Sequence, residues 1–115
     1  MLDKVNILGQ DYTIKFQKEE DNVKLKNADG ICELYSKEII ICDISENEET
    51  FNNMQEYKNK VLRHEIIHAF IHESGLDVMC EWARNEEMVD FFAYQIPKIA
   101  KVFNEINNIK EEEVY

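Results

Sequence analysis

His64-Glu65-Ile66-Ile67-His68 lies inside a run from Phe51 to Ser74 whose apolar periodicity predicts one long helix. On a helix, residues four apart share a face, one turn above the other, so His64 and His68 present two imidazoles to the same side. Two imidazoles at that spacing can grip one metal ion, zinc in particular. Glu65, next to His64, can lean over the same face and take a proton from a zinc-bound water.

The residues around this pentapeptide describe the helix that holds it. Met54, Val61, Leu62, Ile66, Ile67, Ala69, Phe70 and Ile71 are apolar. After Val61 they leave only the stripe His64, His68, His72 polar. A helix apolar nearly all round is a buried one, so the stripe is expected to face an internal cleft, where a metal would compensate the imidazoles. Ser45 with Glu48 three residues later, or Thr50, is a capping signal for the helix start. Gly75 followed by Leu76 is a left-handed stop.

Upstream, Val5–Leu8 and Tyr12–Gln17 read as two strands, the second alternating Tyr12, Ile14, Phe16 against Thr13, Lys15, Gln17. Lys18 to Lys26 is polar and fits a loop or a ragged strand. Asn27-Ala28-Asp29-Gly30 is a turn signal. Ile31–Tyr35 and Glu38–Cys42 read as a hairpin about Ser36-Lys37, with Ile39-Ile40-Ile41 apolar throughout, as in a strand buried on both faces. Downstream, Asp77 to Trp82 is a short connection. A second helix runs from about Ala83 to Tyr94, continues or kinks at Pro97 and reaches about Ile109. Met88, Phe91, Phe92, Ile99, Val102, Phe103 and Ile106 are its expected core side. The expectation is a single α+β domain over residues 1–115: a small, twisted, mostly antiparallel sheet packed on the buried His-bearing helix and a second long C-terminal helix.

A catalytic zinc takes three protein ligands and keeps a water in the fourth position. His72 is one candidate for the third. It lies four residues past His68, but His64 and His72 are then about 12 Å apart along the axis, too far to share an ion. Glu86 and Glu87, on the following helix, are the others. Glu86 is preferred because Asp90 stands four residues on, on the same face, and can accept the spare ring N–H of a ligand histidine. Glu87 remains the alternative. A charged first turn stabilised by the helix dipole explains the same residues without any metal.

His64-Glu65-x-x-His68 followed by Asn85-Glu86-x-x-x-Asp90 resembles the gluzincins, the thermolysin-like clan of zinc metallopeptidases. Within that clan Glu86-x-x-Val89-Asp90-x-Phe92-Ala93, with Pro97 beyond, is similar to the ImmA/IrrE-type family of small bacterial and phage metallopeptidases. The chain departs from that family in Val89 and Asp90, where Ala and Asn are favoured, and in a shorter distance to Pro97. The resemblance spans about Leu62 to Pro97. It implies a zincin-like fold whose sheet edge lies above a cleft, Zn2+ on His64, His68 and Glu86, Glu65 as general base and Asp90 behind a histidine. A second donor for the developing oxyanion would come from Tyr94, His72 or Tyr35. The Ile39–Cys42 segment is the candidate edge for holding an extended peptide.

Composition narrows the function classes. The 115-residue chain has a net charge of −11, with 44% hydrophobic and 32% charged residues. So acidic a chain is a poor partner for nucleic-acid backbones, which bind Lys and Arg. No run approaches the roughly 20 apolar residues of a membrane span, and no basic start with an apolar run marks a signal peptide. A cytoplasmic location is expected, with Cys32, Cys42 and Cys80 reduced. A disulfide between Cys32 and Cys42 across the hairpin remains open. The expected function is zinc-dependent hydrolysis of a peptide bond in a protein or peptide substrate. The alternative is a non-catalytic partner-binding module retaining a structural zinc.

Overall fold

The computed structural model describes residues 3–43 and 51–107; the capping signal at Ser45, Glu48 and Thr50 lies outside them. Four strands, β1 (Lys4–Ile7), β2 (Gln10–Gln17), β3 (Gly30–Glu33) and β4 (Glu38–Cys42), precede two long helices, α1 (Phe51–Ser74) and α2 (Glu86–Ile106). The class is the expected α+β.

The first hairpin turns on Leu8 and Gly9, both at positive φ, and the Gly9 N–H donates to Asn6 Oδ1 at 3.1 Å. The sheet order is β1-β2-β4-β3. β1–β2 and β3–β4 are antiparallel, and the central pair β2–β4 is parallel. That parallel pairing puts β4 inside the sheet and makes β3 the edge. The Ile39–Cys42 segment therefore has neighbours on both sides and cannot take an added peptide; among the described residues the sheet edges are β1 and β3.

From Ile39 onward β4 is apolar because both of its faces are covered. Ile39 and Ile41 join Tyr12, Ile14, Val61 and Ala69 in the core between sheet and α1. Ile40 and Cys42 face the other way, onto Leu25. Leu25 is supplied by the segment Lys18–Lys26, which forms two 3-10 turns, neither a plain loop nor a strand. The three cysteines are unpaired.

α1 spans the expected residues and ends at Gly75 in the left-handed region (φ +83°). It is not buried all round. Val61, Glu65 and Ala69 are its buried line, Leu62 and Ile66 are partly covered, and Phe70 is exposed. At its C-terminal end Glu73 Oε2 accepts from Tyr12 Oη and Lys37 Nζ, both at 2.5 Å, tying the β3–β4 turn to the helix.

α2 begins later than the sequence suggests. Glu81–Arg84 is a 3-10 turn, and Asn85 caps the helix by accepting from Met88 N–H at 2.8 Å. The helix continues through Pro97. Proline has no N–H, so the carbonyl four residues back, Ala93, loses its helical donor. Arg63 on α1 supplies one: its Nε–H donates to Ala93 O at 2.7 Å. The expected core stripe of α2 is largely absent. Only Val89 and Ala93 are buried; Phe91, Val102, Phe103 and Ile106 are exposed.

Candidate metal centre

α1 and α2 meet where their polar residues face one another. His64 and His68 stand one turn apart on α1 with ring nitrogens Nε2 3.2 Å from each other. Asn85 starts α2 just ahead of Glu86, so Glu86 sits in the first turn and reaches across. Its Oε1 is 2.6 Å from His68 Nε2 and 3.3 Å from His64 Nε2. Among the described residues, His64, His68 and Glu86 form the one group of three that could hold a metal ion. A tetrahedral ion with bonds of about 2.1 Å separates its ligand atoms by roughly 3.4 Å. The histidine–histidine and His64–Glu86 spacings match that, and the shorter His68–Glu86 contact opens with a small turn of an exposed carboxylate. The residues fit a metal.

Behind the cluster, His64 Nδ1–H points to Asp90 Oδ1 at 3.3 Å, which leaves Nε2 as the outward nitrogen. Asp90 is itself ion-paired with Lys60, one turn before His64. The Lys60 ammonium, ahead of the His64 contact, holds the Asp90 carboxyl below its usual range.

Glu65 is 8% exposed, wedged between α1 and the edge strand β3. Gly30, the first residue of β3, makes the room. A Cβ there would stand 2.7 Å from Val61 Cγ1, 3.2 Å from Glu65 Cγ and 3.3 Å from Glu65 Oε2. Burial, and secondly the charge of Glu86, push the Glu65 carboxyl up to about 7. On the open side lies a cleft of about 480 Å³ with Ile31 and Cys32 of β3, and Leu34 just after it, along one wall and Glu65, His68, Ala83, Arg84 and Glu86 around it. Burial, then Glu65 and Glu33, push the Cys32 thiol up to about 12.

No family model, curated protein or solved structure matches the chain. The site therefore rests on its own geometry.

That geometry unites His64, His68 and Glu86, with Asp90 behind and Glu65 beside them. It leaves Glu87 out of the cluster. His72 is turned to Asp77, its Nδ1–H donating to Oδ2 at 2.8 Å, and is not a third ligand. Tyr94 does not reach the cleft. It lies exposed beside Lys60, whose Nζ is 4.9 Å from its ring centre. Tyr35 is fully exposed at the β3–β4 turn. The oxyanion donors expected from these three are thus not assembled around Glu65. Two participants escape a motif reading. Gly30 acts through space that only the strand order reveals. Lys60 had one available signal, its position four residues before His64 on the same face.

No helix among the described residues is long and apolar enough to cross a membrane.

Proposed function

We propose that the chain is a zinc-dependent metallopeptidase that hydrolyses a peptide bond in a protein or peptide substrate. The observation that carries this reading is the convergence of His64, His68 and Glu86 ligand atoms within 3.3 Å of one another, with the Glu65 carboxylate in the wall of the same cleft. Two imidazoles and a carboxylate are a donor set suited to zinc, whereas calcium and magnesium favour all-oxygen sites. Zinc, when bound, lowers the pKa of water towards neutrality and polarises a carbonyl.

The remaining roles belong to the chain's own side chains. Glu65 accepts the proton of the attacking water and delivers it to the leaving amine. Its packing against Gly30 holds one orientation. Asp90 fixes the tautomer of His64, and Lys60 holds Asp90 in place. The outer edge of β3, unpaired among the described residues, borders the cleft, so an extended peptide can add there as a further strand, antiparallel or parallel to Gly30–Glu33. The likeness of Leu62–Pro97 to ImmA/IrrE-type gluzincins supports the same reading. The cluster offers three ligand atoms among the described residues, not four. That favours catalysis over a closed structural site in a partner-binding module.

The test is Glu65→Gln in the zinc-loaded protein, assayed on an unstructured protein substrate. It should keep one zinc per chain and lose cleavage. Full activity in the variant refutes the base assignment, and failure of the untagged wild-type chain to bind zinc refutes the reading as a whole.

A further inference from the structure

Arg84 stands in the wall of the metal cleft but outside the metal cluster. Among the described residues that line the cleft it is the single Lys or Arg, in company with Glu65, Asp77 and Glu86. Its guanidinium is held in place. Nη1–H donates to the Asp77 carbonyl, and the Asp77 carboxylate is fixed to α1 by the N–H of His72, 2.8 Å from Oδ2. Ala83, beside Arg84, is buried and anchors the turn.

No carboxylate among the described residues pairs with Arg84, in a chain with 24 acids to 13 Lys and Arg. The acids of the cleft are engaged elsewhere. Asp77 is held by His72, Glu86 lies 2.6 Å from His68, and Glu65 is packed under Gly30. A guanidinium with one N–H used still has donors for both oxygens of a carboxylate.

We infer that Arg84 forms a carboxylate subsite in the cleft, so that the chain selects peptides with an acidic group close to the bond that is cut. The inference rests on the peptidase reading above and names a substrate class for it. The course of β3 sets the spacing. Gly30 lies against Val61 and Glu65, and Lys37, past the far end of β3, bonds Glu73, so β3 runs alongside α1. A peptide added to the β3 edge runs from the metal centre towards Leu34, Ile71 and Arg84. His72, which holds Asp77, lies four residues past His68, about 6 Å along the helix axis. An extended strand rises about 3.3 Å per residue, so the guanidinium meets the peptide about two residues from the metal. An Asp or Glu side chain at that place supplies the carboxylate, or the C-terminus of a peptide running parallel to β3.

The surroundings favour that contact. Ile31, Leu34, Ile71 and Ala83 line the cleft, and a charge pair beside apolar walls is stronger than one in open water. The net charge of −11 repels an acidic peptide over distance, but salt at physiological strength screens that repulsion beyond about 8 Å.

The test is the profile of bonds cut in a mixed library of unstructured peptides by the zinc-loaded, untagged chain, read by mass spectrometry. An acidic group should be enriched at one fixed place, about two or three residues from the cut bond. Cuts at internal sites beside Asp or Glu identify a side chain as its source; cuts confined to the end of the peptide and lost on amidation identify the C-terminus. Arg84 is exposed, so its variants should fold and keep one zinc per chain. Arg84→Glu should move the preference to Lys or Arg, and Arg84→Lys should keep the acidic preference about three- to tenfold weaker. Calorimetry on zinc-loaded Glu65→Gln should show the acidic peptide binding about tenfold more tightly than its neutral counterpart, Gln for Glu or amide for carboxylate, with the difference lost on adding Arg84→Glu. No acidic preference of either kind, or one that survives Arg84→Glu, overturns the inference and leaves the peptidase reading standing. A wild-type chain that holds zinc and cuts nothing refutes the peptidase reading, and the inference with it.

Discussion

Removing the Arg63 side chain should strand the Ala93 carbonyl, because Pro97 leaves it no helical donor. The donor it loses is a charged guanidinium at 2.7 Å. Ala93 is fully buried, so water cannot readily replace that donor. A buried acceptor left unpaired costs about 1–3 kcal/mol, and Arg63→Ala should lose stability in that range. The same logic makes Pro97 the cause. Pro97→Ala returns an N–H to position 97, which can bond the Ala93 carbonyl within the helix, and it also removes a proline from a helix interior. In the Pro97→Ala background, Arg63→Ala should therefore cost less, by about 1 kcal/mol or more. Urea unfolding of the four proteins in chelator, at one pH, measures the cycle. Additivity within about 0.5 kcal/mol would refute the account, because Arg63 would then be contributing packing alone. The stakes extend to the site, since this bond anchors α2 one turn beyond Asp90 and two turns beyond Glu86.

Burial of Glu65 has a consequence for the metal-free protein. Its folded pKa, about 7, exceeds the ordinary 4.5. The folded state thus holds an extra proton between those values, and stability falls as pH rises through that window. Glu65→Gln should match wild type near pH 4 and exceed it at pH 8 by up to about 3 kcal/mol; chemical denaturation at both pH values decides, and equal stability at pH 8 contradicts it. Gly30→Ala should destabilise by about 1–3 kcal/mol through overpacking, since its Cβ would meet Val61 Cγ1 at 2.7 Å; a variant as stable as wild type in the same assay would show that Val61 yields freely. Asp90→Ala should weaken zinc binding about 10- to 100-fold, read by competition with a chromophoric chelator, and an unchanged affinity would remove Asp90 from the site.

Much of the frame could be read from local pattern. The 24 residues of α1, the left-handed stop at Gly75 and the β3–β4 hairpin follow from periodicity and turn chemistry. So did the grouping of His64 and His68 with Glu86 across the helix pair, because residue spacing on a helix is itself geometry. What local pattern could not show was pairing between strands far apart in sequence. The parallel β2–β4 contact makes β3 the edge and brings Gly30 over Glu65, and no local signal announces it. Apolar periodicity also misled. It marked Met88, Phe91, Phe92, Ile99, Val102, Phe103 and Ile106 as the core side of α2, whereas the residues that packing buries are Val89 and Ala93, outside that set. Phe91, Val102, Phe103 and Ile106 stay exposed.

Zinc K-edge X-ray absorption on the untagged, zinc-loaded chain tests the central claim most directly. The account predicts one zinc per chain, with two imidazole nitrogens and oxygen ligands at about 2.0–2.2 Å and no sulfur. Glu86→Ala should alter that shell. A sulfur ligand at about 2.3 Å, or a shell unchanged by Glu86→Ala, would contradict it.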